Sequence, residues 1–498
     1  MSNFSSPGRT EPVSRAVQAS GSAAKAPLAI NFIVIGGGIV GLAAAIALVR
    51  AGHRVTVVEK GDGKTNTGPG GMRLPPNMTK VLFHWGLKDV LQDAALTSRL
   101  LLMANLHTGQ ILGPQVWNEE LLKETRGKYM VMSHADLHKV LYDAASALHA
   151  EIRHNANVVD IEPDDGMVKL DSGEVLQADI IIGADGETGL CRRLVLGREE
   201  CLQSSGLMFF DVQFPGGLTN IDLDSRVEGR LPEATSDNPV DVYVGNGCAA
   251  TRYPINGGHN FALHYLFNGD FSSGGHYGDP PTATEDLRGL LPSEIDPNLG
   301  YYAHNATRAT HIAIKAHEDL DNWVHNSGRL VVIGQAAHPL AAGSIQQAAM
   351  GVEDAAVLGK LYSHLSIPEQ AQDFLYAFQD LRQQRCAEAA DGDLSTLRYI
   401  SADLGPDQEA RDSNMLAKYR EGRNVLEGDE DSGEVEQWSQ VRSIYAYDCE
   451  DEADDWWVQW GLLRARANSD GADRSQPTFD AFDWTAATIT SIDETTMS

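Results

Sequence analysis

The stretch Phe32-Ile33-Val34-Ile35-Gly36-Gly37-Gly38-Ile39-Val40-Gly41 decides how the chain begins to fold. Phe32 to Ile35 form an unbroken apolar run suited to a strand buried on both faces. Ile39 to Arg50 read as a helix closed by Gly52. Between them Gly36, Gly38 and Gly41 keep the G-x-G-x-x-G spacing. The first glycine permits a tight turn, the second lets backbone approach a pyrophosphate, and the third lets helix pack closely on strand. An anion there lies on the positive end of a helix, where unpaired N–H groups point at it. Arg54 to Val58 read as a second strand, and Glu59 follows it, eighteen residues past Gly41. An acid at that place can hold a ribose hydroxyl. A glycine-rich turn without a ligand would not need the whole order of strand, turn, helix, strand and acid.

The rest of the composition narrows the class. A chain of 498 residues can hold two to four domains, or one large enzyme with an inserted domain. With 42% hydrophobic and 22% charged residues it can bury a large core. A net charge of −30 argues against nucleic acid or anionic membrane as a partner, since both attract basic patches. Cys191, Cys201, Cys248, Cys386 and Cys449 are scattered, with no CxxC pair. No metal centre is expected, and a reducing, cytoplasmic location is. Leu28 to Val49 could imitate a membrane span, but the glycine motif inside it favours a buried βα unit. The Ser- and Ala-rich residues 1–27 read as a disordered tail, with a targeting peptide as the alternative.

Further along, Gly61 to Gly71 read as a loop, and Pro75-Pro76-Asn77 introduces a helix over Met78 to Trp85. His134 to His149 follow a helical pattern, and Ile152 to Ile161 with Met167 to Leu170 look like paired strands. Phe209 to Phe214, Val240 to Val244, Ala249 to Pro254 and Asn260 to Phe267 read as an antiparallel sheet. Arg329 to Gly334 return to a buried strand, Gln346 to Leu365 are helical, and from Pro406 the chain turns acidic and polar.

Two later segments complete the opening motif. Ile181-Ile182-Gly183-Ala184-Asp185-Gly186, with Arg192 after it, ends one buried strand. Gly334-Gln335-Ala336-Ala337-His338-Pro339 ends another, followed by Gly351-Val352-Glu353-Asp354-Ala355. Three such segments in this order resemble the single-component FAD-dependent aromatic-ring hydroxylases, the group A flavoprotein monooxygenases of salicylate-hydroxylase type, over Leu28 to Arg385. The resemblance implies an α/β fold. A Rossmann-like FAD-binding domain of glutathione-reductase type carries an inserted mixed or antiparallel sheet domain for substrate, and a C-terminal helical region follows. The expected divisions are 28–200 (FAD domain, with strands of the substrate domain inserted), 201–325 (substrate sheet), 326–400 (return to the FAD domain) and 401–498 (acidic C-terminal region).

The resemblance also implies cofactor contacts. Gly36, Gly38, Gly41, Glu59, Lys60, Arg73 and His134 supply them from the first segment and its surroundings. Asp185 and Arg192, then Gly334, Gln335, Gln346 and Ala348, supply them from the later two. Some positions depart from the family. Gln335 replaces an Asp held against a ribityl hydroxyl, keeping an acceptor without its charge. His134 replaces an Arg, keeping a donor and losing the bidentate fork. Ile345-Gln346-Gln347 replaces a Gly-Gln-Gly turn whose N–H groups are implied to stabilise charge on reduced flavin.

For catalysis the candidates are Asp211, Tyr243 and Pro339. Many relatives that handle phenols carry Arg where Asp211 stands; an ionised Asp would repel a phenolate or carboxylate. Either Asp211 faces an amine, indole N–H or neutral phenol, or it is a solvent-facing strand residue, because a slip of one residue inverts a strand's faces. Tyr243 and Tyr253 are pocket candidates against plain core packing, Pro339 is implied beside the flavin, and His338 reads as structural.

In the implied cycle NADH or NADPH reduces FAD and leaves, and O₂ then gives a C4a-hydroperoxide that oxygenates an electron-rich ring. The ring belongs to a substituted benzoate or phenol, with or without decarboxylation. The alternative is an indole or another secondary-metabolite scaffold; a non-catalytic carrier of the same fold is more distant. A monomer or homodimer is expected.

Overall fold

The computed structural model describes residues 10–19, 24–63, 70–117, 119–213, 238–271, 274–275, 284–306, 308–426 and 442–463. Two sheets organise them. Strands β1 (Asn31–Ile35), β2 (Arg54–Val58), β5 (Glu151–Arg153), β6 (Ile180–Gly183) and β12 (Leu330–Val332) form a parallel sheet in the order β12-β6-β1-β2-β5. Strands β3 (Leu100–Asn105), β4 (Ile111–Val116), β7 (Gln203–Gln213), β8 (Val240–Val244), β9 (Cys248–Ile255), β10 (Asn260–Asn268) and β11 (Arg308–Ala316) form the second, in the order β11-β7-β10-β9-β8-β3-β4. It is antiparallel except where β8 runs parallel to β3. The fold class read from the sequence is therefore the one observed, and the second sheet draws β3 and β4 from inside the first nucleotide-binding stretch.

Helix α2 (Ile39–Arg50) has nine buried residues among its twelve because it is covered on several sides: by the parallel sheet, by α4 (His134–Ala147) and by α8 (Gln347–Tyr362). A helix apolar all round belongs in such a place. The crossing with α8 uses small residues: a Cβ on Gly351 would lie 2.3 Å from the Val40 side chain, and one on Gly359 would lie 2.7 Å from the Ala47 Cβ. Mid-helix glycines each cost about 1 kcal/mol against alanine, and here close packing offsets that cost.

Residues 10–19 correct the expectation of a disordered tail. Helix α1 (Thr10–Ala19) buries Val13 and Val17, one turn apart, and packs on α4. The described parts of the acidic C-terminal region are helical, as the resemblance implies. After the 31-residue helix α9 (Gln370–Ile400), α10 (Pro406–Arg420) packs on β4. Met415, Val425 and Tyr445 then join a core with Met103, Val242 and Tyr253. Met1–Asp454 form one compact unit and Asp455–Ser498 another; within the second, 455–463 complete helix α11 (Cys449–Trp456) and a π-helical turn. No described helix is long and apolar enough to cross a membrane.

Candidate active site

The three sequence segments meet in space. A Cβ on Gly36, whose φ is +105°, would lie 2.3 Å from the Ala184 carbonyl oxygen, and one on Gly334 would lie 3.0 Å from Val40. Gly41 sits so close to the turn that a Cβ there would be 1.9 Å from the Gly36 carbonyl oxygen. Gly38 differs: it begins α2, and a Cβ on it would meet nothing within 4 Å. The turn is thus closed where helix meets strand and open at the helix N-terminus, where a pyrophosphate belongs.

Glu59 accepts from Gly37 N–H at 2.7 Å and Gly61 N–H at 2.6 Å, so its carboxylate is ordered before any ligand arrives. Sequence reading missed His138, one turn after His134. Its Nε2 hydrogen-bonds the Gly37 carbonyl at 2.9 Å, and burial holds the imidazole below its ordinary range. His134 opens α4, with its N–H on the Gly70 carbonyl, while Lys60 is exposed. Asp185 accepts from Cys191 N–H at 3.0 Å with Oδ2, capping α5 (Leu190–Leu196). Its Oδ1 is buried with no hydrogen-bond partner, and burial raises the carboxyl above its ordinary range. An open helix N-terminus, an ordered acid and an unpartnered carboxylate oxygen fit a dinucleotide cofactor.

Arg192 is placed otherwise than expected. It is 1% exposed, and its five N–H groups reach Glu200, the Glu318 carbonyl and the carbonyls of Ala336 and Ala337. No donor remains for a ligand; Arg192 positions the third segment. Gln335 also turns inward, its amide accepting from Leu340 N–H at 2.9 Å and donating to the Leu340 carbonyl at 3.1 Å. On Pro339's other side His338 Nε2 donates to Asp354 Oδ2 at 2.6 Å. Pro339 is held at the tip of a loop pinned on both flanks.

Behind that loop lies a buried ionic cluster. Asp354 Oδ2 also accepts from Gly334 N–H, and its Oδ1 accepts from Arg382 at 2.9 Å. Arg382 reaches Glu353 at 2.8 Å, and Glu353 accepts from Asn77 at 2.6 Å. Burial alone would lower the His338 imidazole, but Cys386 and Asp354 outweigh it and raise it to about 10. Burial alone would raise Asp354, but His338 and Arg382 hold it at about 2. A raised histidine contributes stability that is full below its ordinary 6.5 and lost as pH rises through about 10. Wild type should therefore exceed His338→Gln in urea midpoint by a constant margin from pH 5 to about 6.5, narrowing as pH approaches 10. A margin that widens on the alkaline side would refute the assignment.

At the start of α8, Gln346 is buried, bonds Asn77 and donates its N–H to Asp393 of α9 at 2.8 Å. Burial raises Asp393 to about 6 against the pull of that N–H. Asp393 was not legible in the sequence. Ala348 lies half-buried in the first turn of α8, and Arg73, on the strand Gly71–Leu74, donates to the Gly343 carbonyl.

The second sheet presents one face to this loop. A Cβ on Gly343 would meet the Phe209 ring at 2.5 Å, one on Gly70 would meet Asp211 Oδ2 at 2.0 Å, and one on Gly71 would meet Ala262 at 2.4 Å and Tyr253 at 2.7 Å. Asp211 therefore points inward, 5% exposed, and is not a solvent-facing strand residue. Tyr243 is corrected in the opposite sense. It packs with Met208, Phe210 and Tyr265 on the far face, under α6 (Glu285–Leu290) and α7 (Pro297–Asn305), where burial pushes its phenol up. Tyr253 takes the inward position.

A dinucleotide cradle is thus faced by a second sheet. Residues 30–392 match the FAD binding domain family, and the chain belongs to it. FAD-dependent monooxygenase OpS4 of Beauveria bassiana (strain ARSEF 2860) is 28% identical over 392 residues, 78% of this chain and 89% of that protein. 3-Hydroxybenzoate 6-hydroxylase 1 of Aquipseudomonas alcaligenes is 29% identical over 344 residues, 66% of this chain and 79% of that protein. The fold is shared with a salicylate hydroxylase solved with its substrate, at TM-score 0.61 and 19% identity, over 86% of this chain and 97% of that one. The resemblance read from the three segments is borne out: the chain is an FAD flavoprotein of the monooxygenase class.

Proposed function

We propose that the protein uses NADH or NADPH and O₂ to hydroxylate an aromatic ring bound between the inward face of the second sheet and the loop Gly334 to Gln346. The observation that supports this is the meeting of Gly36 with Ala184 and of Gly334 with Val40, beside a sheet face carrying Asp211 and Tyr253. FAD, when bound, supplies hydride acceptance and oxygen activation. The chain's own groups do the rest. The α2 N-terminus, Glu59 and Asp185 would hold the cofactor; Gln335 and His338 fix Pro339; Phe209 and Tyr253 exclude water.

Substituted benzoates and phenols are one substrate class, and indoles or other secondary-metabolite scaffolds the other. Inward-facing Asp211 favours the second, since no cation stands in its place to receive a carboxylate. The reaction is assigned to the cytoplasm and to a monomer or homodimer. Purified holoenzyme should consume NADH or NADPH faster when the right aromatic is added, with one oxygen atom from O₂ entering the product. Glu59→Ala should weaken FAD binding about ten- to a hundredfold, the worth of a charge-assisted hydrogen bond. Unchanged affinity by flavin titration would remove Glu59 from the cofactor site.

A further inference from the structure

A line of buried polar side chains crosses the inward face of the second sheet. Thr310 of β11, Asp211 of β7, His264 of β10 and Thr251 of β9 stand directly opposite one another across four adjacent strands. All four are buried, at 3%, 5%, 8% and 8% exposure. Thr310 Oγ1, Asp211 Oδ1 and His264 Nδ1 have no hydrogen-bond partner. His264 Nε2 lies 3.4 Å from Asp211 Oδ1, and the imidazole is set edge-to-face against Phe209 and Tyr253, at 5.0 and 5.5 Å. Leu207, Phe209, Ala249, Leu266 and Ile312 surround the line with apolar surface. A core that needed only to pack would not gather unpaired polar atoms, because each loses its bonds to water without replacement.

The charge of the line is as telling as its position. Two nearby guanidinium groups are turned to other tasks: Arg73 donates to the Gly343 carbonyl, and Arg252 pairs with Asp241 at 3.1 Å on the far face. A ligand on this face meets a carboxylate oxygen, hydroxyl oxygens and an imidazole nitrogen. An incoming aryl carboxylate would place a second anion beside Asp211 in a low-dielectric site. An N–H or O–H on an uncharged ring would instead supply the missing partner.

We propose that this line is the substrate-recognition element, and that it selects an uncharged aromatic ring system presenting an N–H or O–H donor to Asp211 while rejecting aryl carboxylates. The inference rests on the monooxygenase reading and narrows its substrate. FAD-loaded protein is titrated with indole and 1-methylindole, phenol and anisole, and benzoate, followed by flavin difference absorbance. At least one donor should bind tenfold or more tightly than its methylated partner and than benzoate; which pair shows the effect tells N–H from O–H. Asp211→Leu should abolish that preference and, by removing a buried carboxylate whose Oδ1 has no hydrogen bond, raise the melting temperature. Equal binding of the methylated partners, binding of benzoate as tight as the donors, no response to any of the five, or a lower melting temperature for Asp211→Leu would each overturn the proposal. Protein that retains no flavin, or whose NADH and NADPH oxidation no aromatic accelerates, counts against the monooxygenase reading itself.

Discussion

Arg382→Met should lower the unfolding free energy by about 3–5 kcal/mol, the usual cost of stranding a buried charge. Arg382 is fully buried, and its guanidinium joins Asp354 and Glu353 to the Met350 carbonyl. Removing it leaves two carboxylates at 0% and 1% exposure, with His338 and Arg385 as the remaining cations beside them. Methionine fills much of the volume, so the loss reports charge and not a cavity. Arg382→Lys keeps the charge without the fork and should fall between the two. Urea midpoints of the three proteins decide the matter; a loss below about 1 kcal/mol for the methionine variant would mean that the cluster does not behave as a unit. The loop carrying Pro339 hangs on Asp354 through Gly334 and His338, so flavin binding should weaken in step with stability.

Gly41→Ala should yield protein that neither melts cooperatively at the wild-type temperature nor retains flavin. The added methyl would stand 1.9 Å from the Gly36 carbonyl oxygen and 3.3 Å from Val34, where only movement of α2 off β1 can make room. Overpacking of an ordinary core costs about 1–3 kcal/mol, and a backbone clash at this distance exceeds that range. Gly38→Ala is the matched control, since its methyl meets no protein atom. That variant should melt as wild type and still lose flavin affinity, because the methyl enters the space left for the phosphates. If both variants melt normally and bind flavin, the turn is not a cofactor site.

The parallel core was legible because β1 and α2 differ in period and the glycines punctuate them. Asp211 and Tyr243 were not, for one reason. Their strands are buried on both faces: Val240–Val244 are buried at every position, and Leu207 to Phe210 are apolar without a break. Alternation then carries no phase, so sequence alone cannot tell the inward side chain from the outward one. The glycines that settle it, Gly70 and Gly343, lie far away in the chain. Asp393 and Arg382 escaped notice because α9 reads as a polar helix, and its few inward groups meet partners on α8. Arg192 and Gln335 stand where motif matching expected them, yet their side chains serve the protein's own backbone. Helix α1 hid in a Ser- and Ala-rich stretch, where Val13 and Val17 are the buried apolar residues among those described.

The family match ends at residue 392, whereas Met415, Val425 and Tyr445 press against Val242 and Tyr253. Packing from beyond the matched stretch thus reaches the core that holds Tyr253. Substitutions at those late positions would act on the second sheet while leaving the three glycine-bearing segments untouched.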